Sequence, residues 1–201
     1  MSKYNPVTHV IFDMDGLLLD TERLYTEATQ MLLDEYGEKF TWEIKNKQMG
    51  KKAVEAARII IGAEKLVHHL HRNNIPICVA TGSSKMNYEM KTQKHKDFFS
   101  LFHHVVLSSD DPEVTHGKPA PDCFLVAARR FEDKPSPEKV LVFEDATNGA
   151  LASVAAGMQC VWIPDERADQ SQLRDKVTLI LKSLEEFKPE DFGLPPYEDS
   201  S

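Results

Sequence analysis

The chain has 201 residues, of which 41% are hydrophobic and 28% charged, a composition typical of one soluble domain or of a domain with a small appendage. Asp and Glu total 32 against 24 Lys and Arg, and the formal charge of −8 disfavours a nucleic-acid polymer as partner but not a small phosphorylated metabolite. No apolar run approaches the roughly 20 residues that span a bilayer, so the sequence predicts a cytoplasmic protein with no membrane partner.

Four short apolar runs predict the strands. They cover residues 8–12, 75–80, 140–143 and 159–163. The runs are rich in β-branched residues and lack polar alternation, which is typical of strands that are covered on both faces in a parallel sheet.

Helical patterns separate these runs. Apolar residues recur at three- and four-residue steps in the stretches 24–36, 66–70, 124–131 and 151–155. Strands that alternate with helices predict an α/β fold with a Rossmann-like, doubly wound parallel sheet. Residues 18–61 hold helical patterns only and are predicted to form an insertion after the first strand. The stretch around Pro189 to Ser201 holds three prolines and no periodicity, and residues 191–201 are predicted to form a loosely attached tail.

Polar residues follow three of the predicted strands at the point where each strand ends. Asp13 and Asp15 follow the first strand, Thr81 follows the second, and Glu144 and Asp145 follow the run 140–143. In open α/β sheets, ligands bind at the carboxyl ends of the strands. Clustered carboxylates repel one another unless a cation lies among them, and oxygen ligands favour Mg²⁺.

A lysine completes this set. Lys118 lies between the second and third of these groups, in the segment Gly-Lys-Pro-Ala-Pro-Asp at 117–122. A lysine and a threonine hydroxyl can stabilise a phosphoryl group. One carboxylate can act as a nucleophile while a second protonates the leaving alcohol. These residue types are the ones that phosphoryl transfer requires.

The order of these residues resembles a known family. The segments Asp13-Met14-Asp15-Gly16, Thr81, Lys118 and Glu144-Asp145 with Asn148-Gly149 are similar to the four ordered motifs of the haloacid dehalogenase superfamily of phosphatases. The resemblance implies that Asp13 is the nucleophile and Asp15 the general acid and base. It also implies that Thr81 and Lys118 bind the phosphate.

The same resemblance implies a Mg²⁺ site. Its ligands would be the Asp13 carboxylate, the Asp15 backbone carbonyl and Asp145. Glu144 and Asn148 are further candidates, as metal ligands or as residues around the site. Glu144 would act through water, and Asn148 would orient the acidic pair or cap the following helix.

Four segments carry a narrower resemblance, to the pseudouridine-5′-phosphatases. They are residues 12–25, 49–52, 110–122 and 141–145. This resemblance implies that pseudouridine 5′-phosphate is the substrate. A broader sugar-phosphate phosphatase or a phosphosugar mutase would use the same motifs, and both alternatives stay open.

The insertion departs from the family pattern. The family carries a helical cap after the first strand, but here residues 59–61 run directly into 62–66, where the family has a further helical hairpin. We therefore predict a shortened cap at 18–61 on a core formed by 1–17 and 62–190. An incomplete cap would expose apolar surface, favour self-association and leave water in the site. A cap-defective binding protein with little activity is the alternative from another functional class.

The remaining polar candidates are given structural roles. Ser83 and Ser84 are expected to cap a helix, and the histidines at 68, 69 and 71 are expected at the surface rather than at a metal. The cysteines are expected to be reduced core residues because their surroundings are apolar. They are Cys78, Cys123 and Cys160.

Overall fold

The computed structural model describes residues 2–19, 21, 53–165 and 168–198, with the backbone only for 53–60. Its strands are β1 (His9–Phe12), β2 (Ile77–Thr81), β3 (His104–Leu107), β4 (Val140–Glu144), β5 (Gln159–Trp162) and β6 (Leu179–Ile180). They form one parallel sheet in the order β3-β2-β1-β4-β5-β6. This is the Rossmann-like, doubly wound order, and it confirms the predicted fold class.

Helices connect the strands. Those described are α1 (Ala53–Arg72), α2 (Lys85–Thr92), α3 (Lys96–Phe99), α4 (Asp122–Arg129) and α5 (Thr147–Ala155). Short 3₁₀ turns lie at Pro137–Lys139, Leu184–Glu186 and Pro189–Phe192. Among the described helices, none is both long enough and apolar enough to cross a membrane.

β1 lies near the middle of the sheet, between β2 and β4. Phe12 is in register with Val79 on one side and with Phe143 on the other. The backbone N–H of Asp13 continues this pairing by donating to the carbonyl of Phe143 at 3.0 Å. The residues that follow β1 and β4 therefore lie side by side at one edge of the sheet.

The two faces of the sheet are covered by different layers. Phe12 packs in the layer that contains Leu66 and Leu70 of α1, whereas Ile11 packs in the layer that contains Phe124 of α4 and Ala152 of α5. All six side chains are fully buried. Burial of a large apolar side chain contributes about 1.5–3 kcal/mol, so both layers stabilise the strand that precedes Asp13. The three cysteines are free and buried, as predicted.

Two strands were not among those predicted from the sequence. β3 and β6 are the two edges of the sheet, and their residues are mostly half-buried. An edge strand has a neighbour on one side only, and such strands are often short. The apolar run of an edge strand is therefore short and hard to recognise in the sequence, and β6 has only two residues.

The predicted boundary between cap and core falls inside a helix. α1 runs without interruption from Ala53 to Arg72, through the expected division between residues 61 and 62. At Gly62 an added Cβ would lie 3.0 Å from the backbone N of Glu185, so the absence of a side chain lets the Leu184–Glu186 turn pack against this helix. The predicted helix at 24–36 and most of the insertion lie outside the described residues, and the shortened cap stays a prediction.

Residues 191–198 are packed, and the expectation of a loose tail is wrong for them. Phe192 and Leu194 are buried in the layer that covers α1. The backbone N–H of Val7 donates to the carbonyl of Phe192 at 3.0 Å. The prolines end regular structure here, but the apolar side chains between them still have a core to fill.

The same segment holds one of the predicted surface histidines. The ring of His69 is buried, and its Nε2 lies 2.8 Å from the carbonyl oxygen of Pro195. The ring also packs against Tyr197, with 4.7 Å between ring centroids. The prediction that His69 lies at the surface is therefore wrong. Its side chain packs the segment that contains Pro195 and Tyr197 against α1.

Candidate active site

The acidic residues predicted from the sequence lie together at the ends of β1 and β4. The connections that follow these two strands lead to opposite sides of the sheet. The chain passes from β1 towards β2 on one side and from β4 towards β5 on the other. Such a switch point forms a crevice outside the carboxyl ends of the strands. Asp13 follows β1, Glu144 ends β4, and Asp145 follows it.

Lys118 enters this crevice from the loop before α4. Its Nζ lies 2.6 Å from Oδ1 of Asp13 and 2.6 Å from Oε1 of Glu144, and it donates to the carbonyl oxygen of Ala80 at 3.1 Å. The ammonium also lies 4.8 Å from the centroid of the Phe124 ring. One nearly buried cation thus bridges two buried carboxylates.

Burial dominates the electrostatics of these three groups. Burial raises the pKa of Asp13 to about 7, and the charges of Glu144 and Asp15 add to this rise while Lys118 opposes it. Burial also raises the pKa of Glu144. Burial alone would lower the pKa of Lys118, but the two adjacent carboxylates outweigh it and hold this pKa above the usual range. Lys118 is therefore a permanent positive charge beside Asp13.

Glu144 is held from three directions. Its Oε1 accepts from Lys118, and its Oε2 accepts from the backbone N–H of Ala146 at 3.1 Å. A Cβ added to Gly149 would lie 1.7 Å from Oε1. Glycine at this position of α5 is therefore required for the buried carboxylate to fit.

Asp145 lies beside a second close glycine. Gly16 has φ +86°, and a Cβ added there would lie 2.2 Å from Oδ2 of Asp145. The backbone carbonyl of Asp145 accepts from the indole N–H of Trp162 at 2.9 Å. These contacts fix the loop that follows β4.

The carboxylate oxygens form a group that could bind a cation. One oxygen each from Asp13, Glu144 and Asp145 lie within 4.8 Å of one another. Three hard anionic oxygens in one crevice suit a divalent cation such as Mg²⁺. Two of the expected ligands, Asp13 and Asp145, belong to this group, and Glu144 is its third member.

The Asp15 carboxylate points into a different set of contacts. Its Oδ2 accepts from the hydroxyls of Thr81 at 3.2 Å and Ser83 at 3.0 Å, and its Oδ1 lies 2.6 Å from Nζ of Lys91. The hydroxyl oxygen of Thr81 also accepts from the backbone N–H of Ser83 at 3.1 Å. The structure thus brings the predicted Thr81 to the predicted Asp15.

Two residues at this site differ from the prediction. Ser84 caps α2, as expected, by accepting from the backbone N–H of Asn87 at 3.3 Å. Ser83 does not cap the helix but contacts Asp15, so its predicted role is wrong. Lys91 was not predicted at all, because one lysine in a polar helix gives no signal of the direction in which it points.

Asn148 lies apart from this network. It is exposed in the first turn of α5, where Ala146 holds the N-cap position without a side-chain bond. Within the described part of the chain, its side chain makes no hydrogen bond to Glu144 or Asp145. Neither predicted role, capping the helix or orienting the acidic pair, is seen in these contacts.

Comparison with known proteins assigns the class. Residues 47–157 match the haloacid dehalogenase-like hydrolases. The chain is 50% identical to (DL)-glycerol-3-phosphatase 2 of Arabidopsis thaliana, with 97% of this chain and 95% of the relative covered. The chain therefore belongs to the haloacid dehalogenase-like hydrolases.

Within that family the chain is a phosphatase. In addition to the plant relative, it is 46% identical to the "Probable pseudouridine-5′-phosphatase" of Drosophila melanogaster, with 96% of each chain covered. The identification of the family from its four motifs is confirmed.

Solved structures share the fold. A hydrolase of this family from Deinococcus radiodurans, solved with bound phosphate and sodium, superposes with a TM-score of 0.73 at 21% identity, covering 96% of this chain and 99% of that chain. CbbY from Rhodobacter sphaeroides in complex with phosphate gives a TM-score of 0.69 at 21% identity, covering 90% and 96%. The similarity extends over nearly the whole chain.

Proposed function

We propose that the protein is a Mg²⁺-dependent phosphomonoester hydrolase that works through an aspartyl-phosphate on Asp13. The observation that carries the proposal is the pair formed by Asp13 and Lys118 at the switch point of the sheet, with 2.6 Å between carboxylate and ammonium. An anionic nucleophile approaches an anionic phosphate only where positive charge offsets the repulsion, and Lys118 provides that charge without a change of protonation.

The reaction proceeds in two displacements. An oxygen of Asp13 forms a bond to phosphorus while the bond from phosphorus to the leaving oxygen breaks, and Asp15 donates a proton to that oxygen. Asp15 then accepts a proton from a water molecule that attacks the phosphorus and frees Asp13. Thr81 and Lys118 are proposed to bind the phosphoryl oxygens.

The acidic group fits a Mg²⁺ ion. Asp13 and Asp145 would hold it with the backbone carbonyl of Asp15, and Glu144 would act from a neighbouring position because both its oxygens already accept bonds from Lys118 and Ala146. When bound, the ion would neutralise negative charge on the phosphate and on the carboxylates. It would also stabilise the crevice against repulsion among these groups.

Pseudouridine 5′-phosphate is the proposed substrate. The sequence segments that resemble pseudouridine-5′-phosphatases and the 46% identical relative from Drosophila melanogaster support it. The 50% identical relative from Arabidopsis thaliana favours glycerol 3-phosphate as a second candidate. Both compounds are phosphate esters of a primary alcohol, so the same acid and nucleophile serve either reaction.

The proposal includes a shortened cap over an open site. The alignments to these relatives extend over 229 and 224 positions, whereas this chain has 201 residues, so both relatives hold residues without a counterpart here. Large exposed apolar side chains lie on the described surface near the middle of α1 and along α2, namely Ile61, Met86 and Met90. They support the proposed self-association, and the cytoplasmic location predicted from the sequence stays part of the proposal.

Phosphate release from a substrate panel tests the function. The panel contains pseudouridine 5′-phosphate, glycerol 3-phosphate and glucose 6-phosphate, each with Mg²⁺ and with EDTA, and Asp13→Asn is the matched variant. We expect Mg²⁺-dependent release that Asp13→Asn abolishes. Release that persists in a folded Asp13→Asn protein would refute the nucleophile. Equal release from all three compounds would refute only the substrate assignment.

A further inference from the structure

Lys91 is a nearly buried cation that none of the proposed reaction steps uses. It lies in the last turn of α2, and its side chain is 4% exposed. Its Nζ lies 2.6 Å from Oδ1 of Asp15 and donates to the hydroxyl of Ser83 at 3.0 Å. An ammonium group is costly to bury unless an anion compensates it, and Asp15 is such an anion.

Ser83 links the same two groups from the other side. Its hydroxyl donates to Oδ2 of Asp15 at 3.0 Å while its oxygen accepts from Lys91. Thr81 adds a donor to Oδ2 at 3.2 Å. Both oxygens of Asp15 are therefore held, and a closed ring of contacts joins the carboxylate, the ammonium and the serine hydroxyl.

The charges on the outer face of α2 are arranged differently. Lys85 and Glu89 are both mainly exposed, and their charged groups are 4.0 Å apart. Exposed pairs of this kind contribute little to stability. α2 thus carries one lysine directed to the site and another directed to solvent, which provides a matched pair for experiment.

We propose that Lys91 is a positioning residue that, together with Ser83, fixes the Asp15 carboxyl group in the orientation from which it transfers a proton to the leaving oxygen. This inference rests on the proposed function, because it assigns a purpose to Asp15 as the general acid. Asp15 is about one quarter exposed, and without Lys91 its carboxyl group could rotate into solvent. Proton transfer requires the donor within hydrogen-bond reach of the leaving oxygen.

The dependence on the leaving group separates positioning from a general loss of structure. An alkoxide leaves only when it receives a proton, whereas p-nitrophenolate leaves without one. The value of kcat/KM reports the steps up to release of the alcohol. A misplaced acid therefore lowers kcat/KM for an alkyl phosphate and leaves that for p-nitrophenyl phosphate nearly unchanged.

The experiment compares Lys91→Met with Lys85→Met in the full chain with Mg²⁺. The substrates are p-nitrophenyl phosphate and whichever of pseudouridine 5′-phosphate and glycerol 3-phosphate the wild type hydrolyses. For Lys91→Met we expect kcat/KM to fall about 100-fold for the alkyl phosphate and less than about 5-fold for p-nitrophenyl phosphate. Lys85→Met is expected to change neither value. Ser83→Ala is expected to show the same selectivity as Lys91→Met, at about 10-fold.

Equal losses on both substrates in a folded Lys91→Met protein, or no loss on either, would overturn the inference. If Lys91→Met does not fold, Ser83→Ala decides by the same comparison, because it removes one hydroxyl group only. The activity of Asp13→Asn distinguishes failure of the proposed function from failure of the role proposed for Lys91. Full activity in Asp13→Asn refutes the proposed function, whereas an inactive Asp13→Asn with an unselective Lys91→Met refutes only the role of Lys91.

Discussion

Some residues at the crevice have no room for a larger side chain. Gly149 shows this most clearly, because the space that its side chain would occupy is filled by the Glu144 carboxylate. Glu144 is fully buried and bonded to Lys118, so it cannot move aside without breaking that bond. A helix interior normally favours alanine over glycine, and here the preference is reversed by one contact.

We predict that Gly149→Ala impairs both stability and activity. The methyl group must displace Glu144, which overpacks the core and costs about 1–3 kcal/mol. Phosphate release should fall by roughly 10-fold or more because Lys118 moves with Glu144. Gly117→Ala is the control, since an added Cβ there meets nothing within 4 Å. Urea unfolding of both variants checks the prediction, and a Gly149→Ala protein as stable as Gly117→Ala would contradict it.

The burial of Asp13 leads to a second prediction, on how the stability of the fold depends on pH. Its pKa is about 7 in the folded chain against 3.8 for the ordinary carboxyl group. The folded state therefore binds the proton more tightly than the unfolded state, and stability falls as pH rises from 3.8 through 7. In EDTA at pH 8 we expect Asp13→Asn to be more stable than the wild type by about 1–3 kcal/mol.

The same comparison at pH 5 provides the control. Asp13 is then largely protonated in the folded state, so the advantage of Asp13→Asn should shrink. Denaturant titrations at the two pH values measure it. An advantage that is absent at pH 8, or that grows as the pH falls, would show that burial of Asp13 does not destabilise the fold.

Elements beyond the sheet determine which side chains reach the site. α2 directs Lys91 inwards, the turn at Pro189–Phe192 is hydrogen-bonded to Tyr4 and Val7, and the residues that follow it contact His69 of α1. Phe192 is fully buried there beside Phe187 and Tyr4, with ring centroids 5.4 and 4.6 Å away. This segment supports the helix that continues into the proposed cap.

We predict that Phe192→Ala destabilises the protein by about 3–5 kcal/mol, because it removes a large apolar side chain from a closed core. Met90→Ala is the control: Met90 is 66% exposed, and its replacement should change stability by less than about 0.5 kcal/mol. Equilibrium unfolding in urea measures both. A Phe192→Ala protein within 1 kcal/mol of the wild type would restore the view of this segment as a loose tail.

For the whole molecule, the sequence predicts the centre of the fold better than its periphery. β1, β2 and β4 are buried throughout, β5 is buried except at Gln159, and each contains a short apolar run. The edge strands β3 and β6 lack that signal because they are short and partly exposed. The continuity of α1 through residue 61 could not be predicted, since helical periodicity does not tell where one helix passes from a cap to a core.

The residues of the candidate site also fall into those that the sequence could predict and those that it could not. Asp13, Thr81 and Glu144 could be predicted because each stands at the end of a buried strand, where the fold collects ligands. Ser83 and Lys91 could not, because their positions depend on how α2 packs against the sheet. Gly149 belongs to one of the sequence motifs. The reason why glycine is required there, its contact with the Glu144 carboxylate, is visible only in the structure.

The acidic character of the whole chain also has a local part. The net charge of −8 includes the clustered carboxylates of Asp13, Glu144 and Asp145. A bound Mg²⁺ ion would stabilise the folded state by its binding free energy, about 2.7 kcal/mol at a concentration 100 times its Kd. We therefore expect Mg²⁺ to raise the Tm of the wild type, and to raise that of Asp145→Asn much less.

Differential scanning calorimetry in Mg²⁺ and in EDTA checks this expectation. Asp110→Asn is the control, because Asp110 lies outside the acidic group and its replacement should preserve the increase. The same Tm in Mg²⁺ and EDTA for the wild type, or an undiminished increase in Asp145→Asn, would exclude the proposed ligand.

The central claim, that Asp13 carries the phosphoryl group, is tested most directly by acid quenching during turnover of ³²P-labelled substrate, followed by peptide mapping. We predict label on the peptide that contains Asp13, released by hydroxylamine as an acyl phosphate is, and absent from Asp13→Asn. Phosphate formation with no labelled protein at any time in the first turnover, or label on a different residue, would contradict it.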